Sequence, residues 1–382
     1  MKKQLISSRQ FTIIVILYTA GTGVLIIPAS IALEVQQDAW IVAIIGTLLS
    51  LLLIKLFIML SNKMADLSLV EVTEKFLGKF IGKVVSIGFV LLTLFSSGEL
   101  LYFIGNFLQT EVMPETPPVV FAILFCCIIL FAAYQGIEVF ARTLEILFPA
   151  FLLVFMIFLF FVSPQIEIKH VQPVFEVSLQ PFIYSIIHFM GLFSFPLIVL
   201  LMIFPSVINN LQSGKKGFYI GTLMGGFIIT SFIALSILVL GVTNTTIRTF
   251  PSYTLAQKIS VGKFLQRIEI IMAFMWMVTI FVRAFMYYYA SLIGISQILK
   301  LKDHRPLILP LGMISIALSQ IVHANIIHSD KYNQQTWPLA IAVFSIFLPI
   351  ILLLIAMFKR SKNKKKIDPA MDDGETPPNA SS

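Results

Sequence analysis

Ionisable and hydroxyl side chains stand inside long apolar stretches of this sequence, where they could bind a small polar ligand. Ser97, Glu99 and Tyr102 share one stretch, and Thr279 and Arg283 share another. A charge inside a segment long enough to cross a bilayer is costly, and such a residue predicts a functional site. Glu99 could bind a ligand's ammonium group, a proton or another cation, or it could be the structural partner of a cation on another helix.

Arg283 and Tyr102 each allow two interpretations. Arg283 could be a fixed charge inside the protein. The apolar stretch around it, residues 264–296, would measure about 50 Å as a helix, so Arg283 could instead extend to the cytoplasmic face of the membrane. Tyr102 could gate a site, or it could belong to the belt of aromatic residues at a membrane interface.

The first apolar stretch, residues 13–31, contains poor helix formers at its centre. Gly21, Thr22 and Gly23 interrupt it, and Pro28 follows. Glycine and proline weaken a helix, and unpaired backbone groups inside a membrane persist only where they face protein or a water-filled cavity. We expect freed N–H groups here to bind a carboxylate. The alternative is close helix packing through small residues.

A second interrupted stretch, residues 181–205, repeats this pattern. Gly191 and Pro196 flank Phe193 and Ser194 near its middle. Paired breaks in corresponding segments indicate a transporter-type binding site, at which freed carbonyls of the other half-helix receive an ammonium group. We therefore expect Gly191, Phe193 and Ser194 to face the first break. With 35 phenylalanines in the chain, simple packing is the alternative for Phe193.

Composition places the chain in a membrane. Of its 382 residues 58% are hydrophobic and only 12% are charged, and the mean hydropathy is +0.94. The net charge of +8 does not indicate nucleic acid, because the cations lie between apolar stretches and in the tail. Cys126 and Cys127 predict no disulfide and no metal site. Without a nucleophile–base set or a phosphate-binding loop, we expect neither an enzyme nor a cofactor.

Ten apolar stretches of about 20 residues predict ten transmembrane helices within a single domain over 1–358. Lysines and arginines favour the segments on the side of the termini, so both termini are predicted to be cytoplasmic. A basic and then acidic tail, 359–382, is predicted to be disordered. The stretches lie near 11–33, 39–60, 84–109, 118–136, 143–162, 181–205, 217–241, 264–296, 306–325 and 337–358.

The polar segment 163–180 divides these stretches into five and five. Halves with an odd number of spans run in opposite directions across a membrane, which gives an inverted repeat. The predicted fold is therefore an all-α integral membrane protein of ten helices in a five-plus-five inverted repeat, with helices one and six broken.

Several stretches taken together resemble the endospore germination permeases, which are the B subunits of nutrient germinant receptors. The resemblance runs from about residue 5 to 358. It is carried by SSRQFTIIVILYTAGTGVLIIPA at 7–29, QDAW at 37–40, SLVEVTEKFLGKFIGKVV at 68–85, GIEVFARTLEILFP at 136–149 and TFPSYTLAQKISVGKFLQRIEIIMAFMW at 249–276. One difference is that the family pattern has an acidic residue beside the second break, where this chain has Phe195-Pro196.

The resemblance implies the leucine-transporter fold of the amino acid–polyamine–organocation transporters. It also implies a small amino acid ligand such as L-alanine, partner A and C subunits, and residence in the spore inner membrane. In sodium-coupled transporters of this fold, a hydroxyl at the position of Thr279 helps to hold sodium, and a guanidinium at Arg283 would make sodium unnecessary. The resemblance favours a germinant sensor. A proton-coupled amino acid transporter and a scaffold that binds no nutrient remain the alternatives.

Two further groups of polar residues are open to interpretation. Glu138, Arg142 and Glu145 are spaced to pair along a helix, which predicts a structural clamp or an inner gate. His188, in the sixth stretch, could relay protons or could simply be hydrogen-bonded.

Overall fold

The computed structural model describes residues 4–258 and 269–367, and the regular elements in this part of the chain are helices. No β-strand forms in it, and one isolated bridge joins Ile6 to Ile208. The α-helices are α1 (Ser8–Ala20), α2 (Gly23–Val35), α3 (Ala39–Met64), α4 (Leu69–Leu77), α5 (Lys79–Phe107), α6 (Pro118–Gln135), α7 (Ile137–Val162), α8 (Leu179–Phe193), α9 (Leu211–Leu235), α10 (Gly241–Ile247), α11 (Pro251–Gln257), α12 (Glu269–Ile298), α13 (Arg305–Ile321), α14 (Ile326–Lys331), α15 (Trp337–Ala342) and α16 (Leu348–Ile367).

Eight helical stretches in the described residues are long and apolar enough to cross a membrane, and α13 is a shorter apolar helix. The chain is thus a multi-pass membrane protein, as its composition predicts. The number of ten spans stays a prediction. One reason that eight stretches qualify and not ten is that the first predicted span, 11–33, forms two helices of 13 residues each, α1 and α2. Each of these is only about 20 Å long.

The chain turns sharply between α1 and α2. Gly21 has φ 25° and ψ −127°, a conformation that favours glycine because a Cβ atom would be strained there. The helix continues through Pro28, which cannot donate to the carbonyl of Val24. Ser252 supplies the missing hydrogen bond, because its buried hydroxyl donates to that carbonyl at 2.6 Å. The first predicted break therefore lies at Gly21 and Thr22, and not at the proline.

A second break follows α8. The helix ends at Phe193, and residues Phe195–Met202 continue as a tighter 3₁₀ helix. Pro196 lies in the first turn of this segment, where its missing N–H group does little harm. Both predicted interruptions are therefore present in the structure. The inverted relation between the two halves stays a prediction.

Close packing between α1 and α9 fixes the first half-helix in place. Glycines on α9 lie against α1, and an added Cβ atom at Gly221 would be 2.6 Å from the Cβ of Val15 and 3.1 Å from the carbonyl oxygen of Thr12. Without a hydrophobic driving force between helices in lipid, such close approach through small residues is a main source of association.

Replacing Gly221 with alanine is expected to destabilise the protein by about 1–3 kcal/mol, the usual cost of overpacking a closely packed interface. The measurement is the apparent melting temperature of the purified full-length chain in detergent. Gly88→Ala on α5 is the matched control, because the nearest atom to its added Cβ is 3.4 Å away in Phe344. Equal melting temperatures for the two variants would contradict this account of the interface.

The predicted boundary between the membrane domain and the tail, at 358, stays a prediction. The last helix, α16, continues beyond residue 358 to Ile367. Residues 368–382 of the predicted tail lie outside the described residues, so the predicted disorder of that segment stays a prediction.

Candidate functional site

The carbonyl groups at the two breaks accept hydrogen bonds from side chains on other elements. Such bonds offset the cost of an unpaired backbone group inside a membrane. Thr279 donates to Gly21 at 3.1 Å, Trp337 to Gly191 at 3.0 Å, Arg283 to Leu192 at 2.8 Å and Tyr18 to Pro196 at 2.9 Å.

Arg283 joins the two breaks. One guanidinium nitrogen, Nη1, donates to Thr22 Oγ1 at 3.0 Å, and the other, Nη2, donates to the carbonyl of Leu192 at 2.8 Å. Its Cζ atom also lies 5.6 Å from the ring centre of Tyr18, within range of a cation–π interaction. Only 3% of Arg283 is exposed. The structure thus rejects the alternative in which Arg283 reaches the membrane surface.

A small cavity lies beside Arg283 and is also lined by Glu99. Its volume of about 20 Å³ is enough for about one water molecule. No ion pair joins Glu99 to Arg283 among the described residues. The buried hydroxyl of Tyr287 has no hydrogen-bond partner of normal geometry there. The other lining residues are Thr22, Ser96, Leu100, Phe103, Leu192, Asn333 and Trp337.

Glu99 is itself 4% exposed and uses one of its two oxygens for hydrogen bonds. His323 Nε2 and Asn333 Nδ2 both lie 3.2 Å from Oε1. No described residue bonds Oε2. Because a carboxylate has room for about four hydrogen bonds, Glu99 retains capacity to accept a bond from a ligand.

Of the predicted ligand-binding residues, Thr22, Glu99 and Arg283 line this cavity together. Gly21 and Thr279 do not line it, but Thr279 donates a hydrogen bond to the carbonyl of Gly21, the neighbour of Thr22. These five residues belong to three separate apolar stretches of the sequence, which the structure brings together.

The remaining predicted residues do not line the cavity. An added Cβ atom at Gly23 would meet the side chains of Ile229 and Ile27, so this glycine packs α2 against α9. Tyr102 stacks edge-on against the ring of His323. The hydroxyl of Ser97 is buried and unpaired, the carbonyl of Gly191 is taken by Trp337, Phe193 stacks on Phe189, and Ser194 donates to the carbonyl of Met190.

Sequence reasoning missed the residues contributed by the last apolar stretch. Asn333 and Trp337 reach the cavity from the π-helical turn Tyr332–Thr336 and from the start of α15. The polar sequence YNQQTW that opens this stretch was the available signal. Ser96 lines the cavity in place of its neighbour Ser97, because adjacent residues on a helix point about 100° apart.

The charged and titratable residues that the sequence singled out away from the cavity lie in two separate groups. Arg142 Nη2 lies 2.6 Å from Glu138 Oε1, as their spacing predicts. The predicted Arg142–Glu145 pair is absent, because Glu145 instead binds Arg9 at 3.6 Å and Gln10 at 2.9 Å. These contacts of Glu145 connect the start of α1 to α7. In the other group, His188 Nδ1 lies 2.8 Å from Glu34 Oε1, and Ser185 also donates to Glu34.

The arrangement offers two opposite charges to one cavity. Arg283 can donate hydrogen bonds to an anionic group, and Glu99 can accept them from a cationic group. The described residues contain no group of His, Cys, Asp or Glu side chains that could hold a metal ion. The cavity thus presents one positively charged donor and one acidic acceptor.

Comparison with known proteins gives both a family and a fold. A family profile described as "Spore germination protein" matches residues 5–326. Similar curated proteins from Bacillus subtilis (strain 168) include spore germination protein KB, 28% identical over 96% of this chain and 98% of the relative, and spore germination protein YndE, 24% identical over 94% and 98%.

Among solved structures, two single-residue mutants of the Eremococcus coleocola manganese transporter each have a TM-score of 0.53. Each alignment covers 97% of this chain and 88% of the transporter, with 11% and 12% sequence identity. At this identity the likeness concerns the fold alone. It agrees with the predicted leucine-transporter-like architecture.

Proposed function

This chain belongs to the spore germination protein family, and on that premise we propose that it is the membrane subunit of a receptor that detects a nutrient germinant. Members of this family and the transporters that share its fold are not enzymes. The proposed ligand is a small amino acid resembling L-alanine. The proposed location is the spore inner membrane, with both termini in the cytoplasm.

One observation supports the amino acid most directly: Glu99 and Arg283 line the same buried cavity without forming an ion pair with each other. An α-amino acid carries a carboxylate and an ammonium group on neighbouring atoms. Its carboxylate would bind the guanidinium of Arg283 and the hydroxyl of Thr22. Its ammonium group would bind Glu99, since the carbonyls that the sequence offered for it are occupied by side chains here. The hydroxyl of Tyr287, which has no hydrogen bond of normal geometry, would gain one.

The cavity must expand before it can receive such a ligand, because about 20 Å³ accommodates little more than one water molecule. The bonds from Arg283 and Trp337 to the second break are the contacts that must loosen. A ligand that binds the open arrangement more tightly than the closed one shifts the population towards it. This shift is the proposed signal.

The signal would be received by partner subunits. The support for this is the set of relatives, which are spore germination proteins. An A subunit and a lipoprotein C subunit are the proposed partners, and they would respond to movement of the half-helices around the cavity.

The direct test is binding of radiolabelled L-alanine to the purified full-length chain, followed by a panel of other amino acids. We expect saturable binding that falls at least tenfold in Glu99→Gln. Glu115→Gln is the matched control, because Glu115 is exposed and does not line the cavity. Binding that is equal in Glu99→Gln and in the unaltered chain would contradict the proposed site.

A flux assay distinguishes the second candidate function, a proton-coupled amino acid transporter. The observation that favours this candidate is the contact between Glu99 and a titratable residue, His323. Proteoliposomes with a pH gradient should accumulate labelled L-alanine if the chain is a transporter. We expect binding without accumulation, and accumulation would replace the sensor with the transporter.

A further inference from the structure

A line of titratable side chains runs from the protein surface to Glu99. It begins at His328 on α14, passes through His323 in the segment between α13 and α14, and ends at the cavity. We propose that His328, His323 and Glu99 form a proton path that carries protons between the surface and the central cavity. This activity goes beyond ligand detection.

The contacts along this line are suited to proton transfer because His323 uses both of its ring nitrogens. Its Nδ1 lies 3.2 Å from Nδ1 of His328, and its Nε2 lies 3.2 Å from Oε1 of Glu99. An imidazole can accept a proton on one nitrogen while it releases another proton from the second. The two imidazole rings therefore connect the surface to the carboxylate without an intervening water molecule.

The transfer balances without any further reactant. A protonated His328 gives its Nδ1 proton to Nδ1 of His323, and His323 gives its Nε2 proton to Glu99. His328 becomes neutral, the carboxylate becomes a neutral acid, and His323 remains neutral in its other tautomer. Release of the proton from Glu99 by the reverse steps restores the starting state.

One end of the path is exposed to water and the other end is buried. His328 is exposed, whereas only 4% of His323 and 4% of Glu99 are exposed. The position of His328 is fixed by Asn325, whose side chain accepts from its backbone N–H at 2.8 Å. His328 lies near the start of the last apolar stretch, Ile326–Lys359. With the C-terminus predicted to be cytoplasmic, the path opens on the predicted outer face.

Among the titratable groups around Glu99, His323 is the one best placed to supply a proton. Most of the groups that face it are tyrosines or a permanently charged arginine, neither of which exchanges protons readily near neutral pH. Asp330 is the other carboxylate near His323. The facing groups are Arg283 and Tyr287 on α12, Asp330 and His328 on α14, Tyr332 after α14, and Tyr102 on the same helix as Glu99.

The path has a consequence for the ligand that rests on the proposed function. A proton on Glu99 removes the negative charge that would bind an ammonium group, so a proton and the ligand compete for this carboxylate. By linkage, competition with one proton weakens apparent L-alanine affinity by at most about tenfold for each pH unit of acidification.

The test of the path needs no amino acid, so its failure is distinct from failure of the proposed function. The full-length chain in lipid nanodiscs is given a rapid drop in pH, and the infrared band of a newly protonated carboxylic acid is followed with time. Because the chain has 19 acidic side chains, the Glu99 contribution is the part of this band that is missing in Glu99→Gln. In His323→Phe, which preserves an aromatic ring beside Tyr102, we expect it to appear at least tenfold more slowly.

Further variants separate proton transfer from a structural role. His323→Asn keeps a hydrogen-bond donor and is also expected to be slow. His328→Ala should be slow and should recover with added imidazole. His304→Phe is the control, since His304 lies before α13 and outside this line. A normal rate in folded His323→Phe and His323→Asn, or a Glu99→Gln band identical to that of the unaltered chain, would overturn the proposal.

Discussion

Arg283→Lys is expected to raise the L-alanine concentration for half-maximal germination by roughly thirtyfold or more. Lysine keeps the charge but lacks the planar fork of donors, so it cannot give the ligand's carboxylate the two parallel hydrogen bonds that the proposed function expects from Arg283. Disrupting a buried, hydrogen-bonded charged group costs about 2–5 kcal/mol. A loss of about 2 kcal/mol corresponds to the thirtyfold change.

The measurement compares spores that carry the variant with unaltered spores, with equal amounts of membrane protein confirmed by immunoblot. Arg305→Lys is the control, because Arg305 lies at the start of α13 and contacts the ring of Tyr134. Its dose response should match that of the unaltered protein. If Arg283→Lys also matches it, the guanidinium neither joins the two breaks functionally nor binds the ligand.

Gly21→Ala is expected to have a similarly large effect, and to act on stability as well as on the response. The positive φ of 25° costs a residue with a Cβ atom about 1–2 kcal/mol. The added Cβ would also be 2.6 Å from Cδ of Arg283 and 2.8 Å from the carbonyl oxygen of Tyr18. Such overpacking adds about 1–3 kcal/mol, so the total is about 2–5 kcal/mol.

A lower melting temperature and a higher L-alanine requirement in the same variant would support this account. Gly23→Ala is the informative comparison. Its Cβ would meet only Cδ1 atoms at the ends of Ile229 and Ile27, at 2.8 and 2.9 Å, before any other atom, and flexible side chains can move away. Gly23→Ala should therefore be milder in both measurements. The opposite order would place the sensitive point of the break at Gly23.

Much of the architecture could be predicted from the sequence. Hydropathy identified a multi-pass membrane protein, because only long apolar helices satisfy their backbone groups in lipid. Glycine and proline located both interruptions, at Gly21 and at Gly191 to Pro196, because these residues change the backbone itself. Local i,i+4 spacing also predicted the Glu138–Arg142 pair correctly.

The composition of the cavity depended on contacts between residues far apart in the chain. Thr22, Glu99, Arg283 and Asn333 come from four separate parts of the chain, and no spacing in the sequence shows how helices rotate about their axes when they pack. For the same reason the sequence favoured Ser97, whose hydroxyl is buried away from the cavity, over Ser96, which lines it.

The sequence by itself determined the class of protein, the positions of the breaks and the presence of two isolated charges. Only the tertiary structure decided that Arg283 joins both breaks. It also decided that Glu99 faces the same cavity and makes a hydrogen bond with His323. The physical reason is the distance along the chain over which each effect acts. Hydropathy and backbone conformation act on neighbouring residues, whereas the partner of a buried charge is chosen by whichever helix the packing brings within about 3 Å.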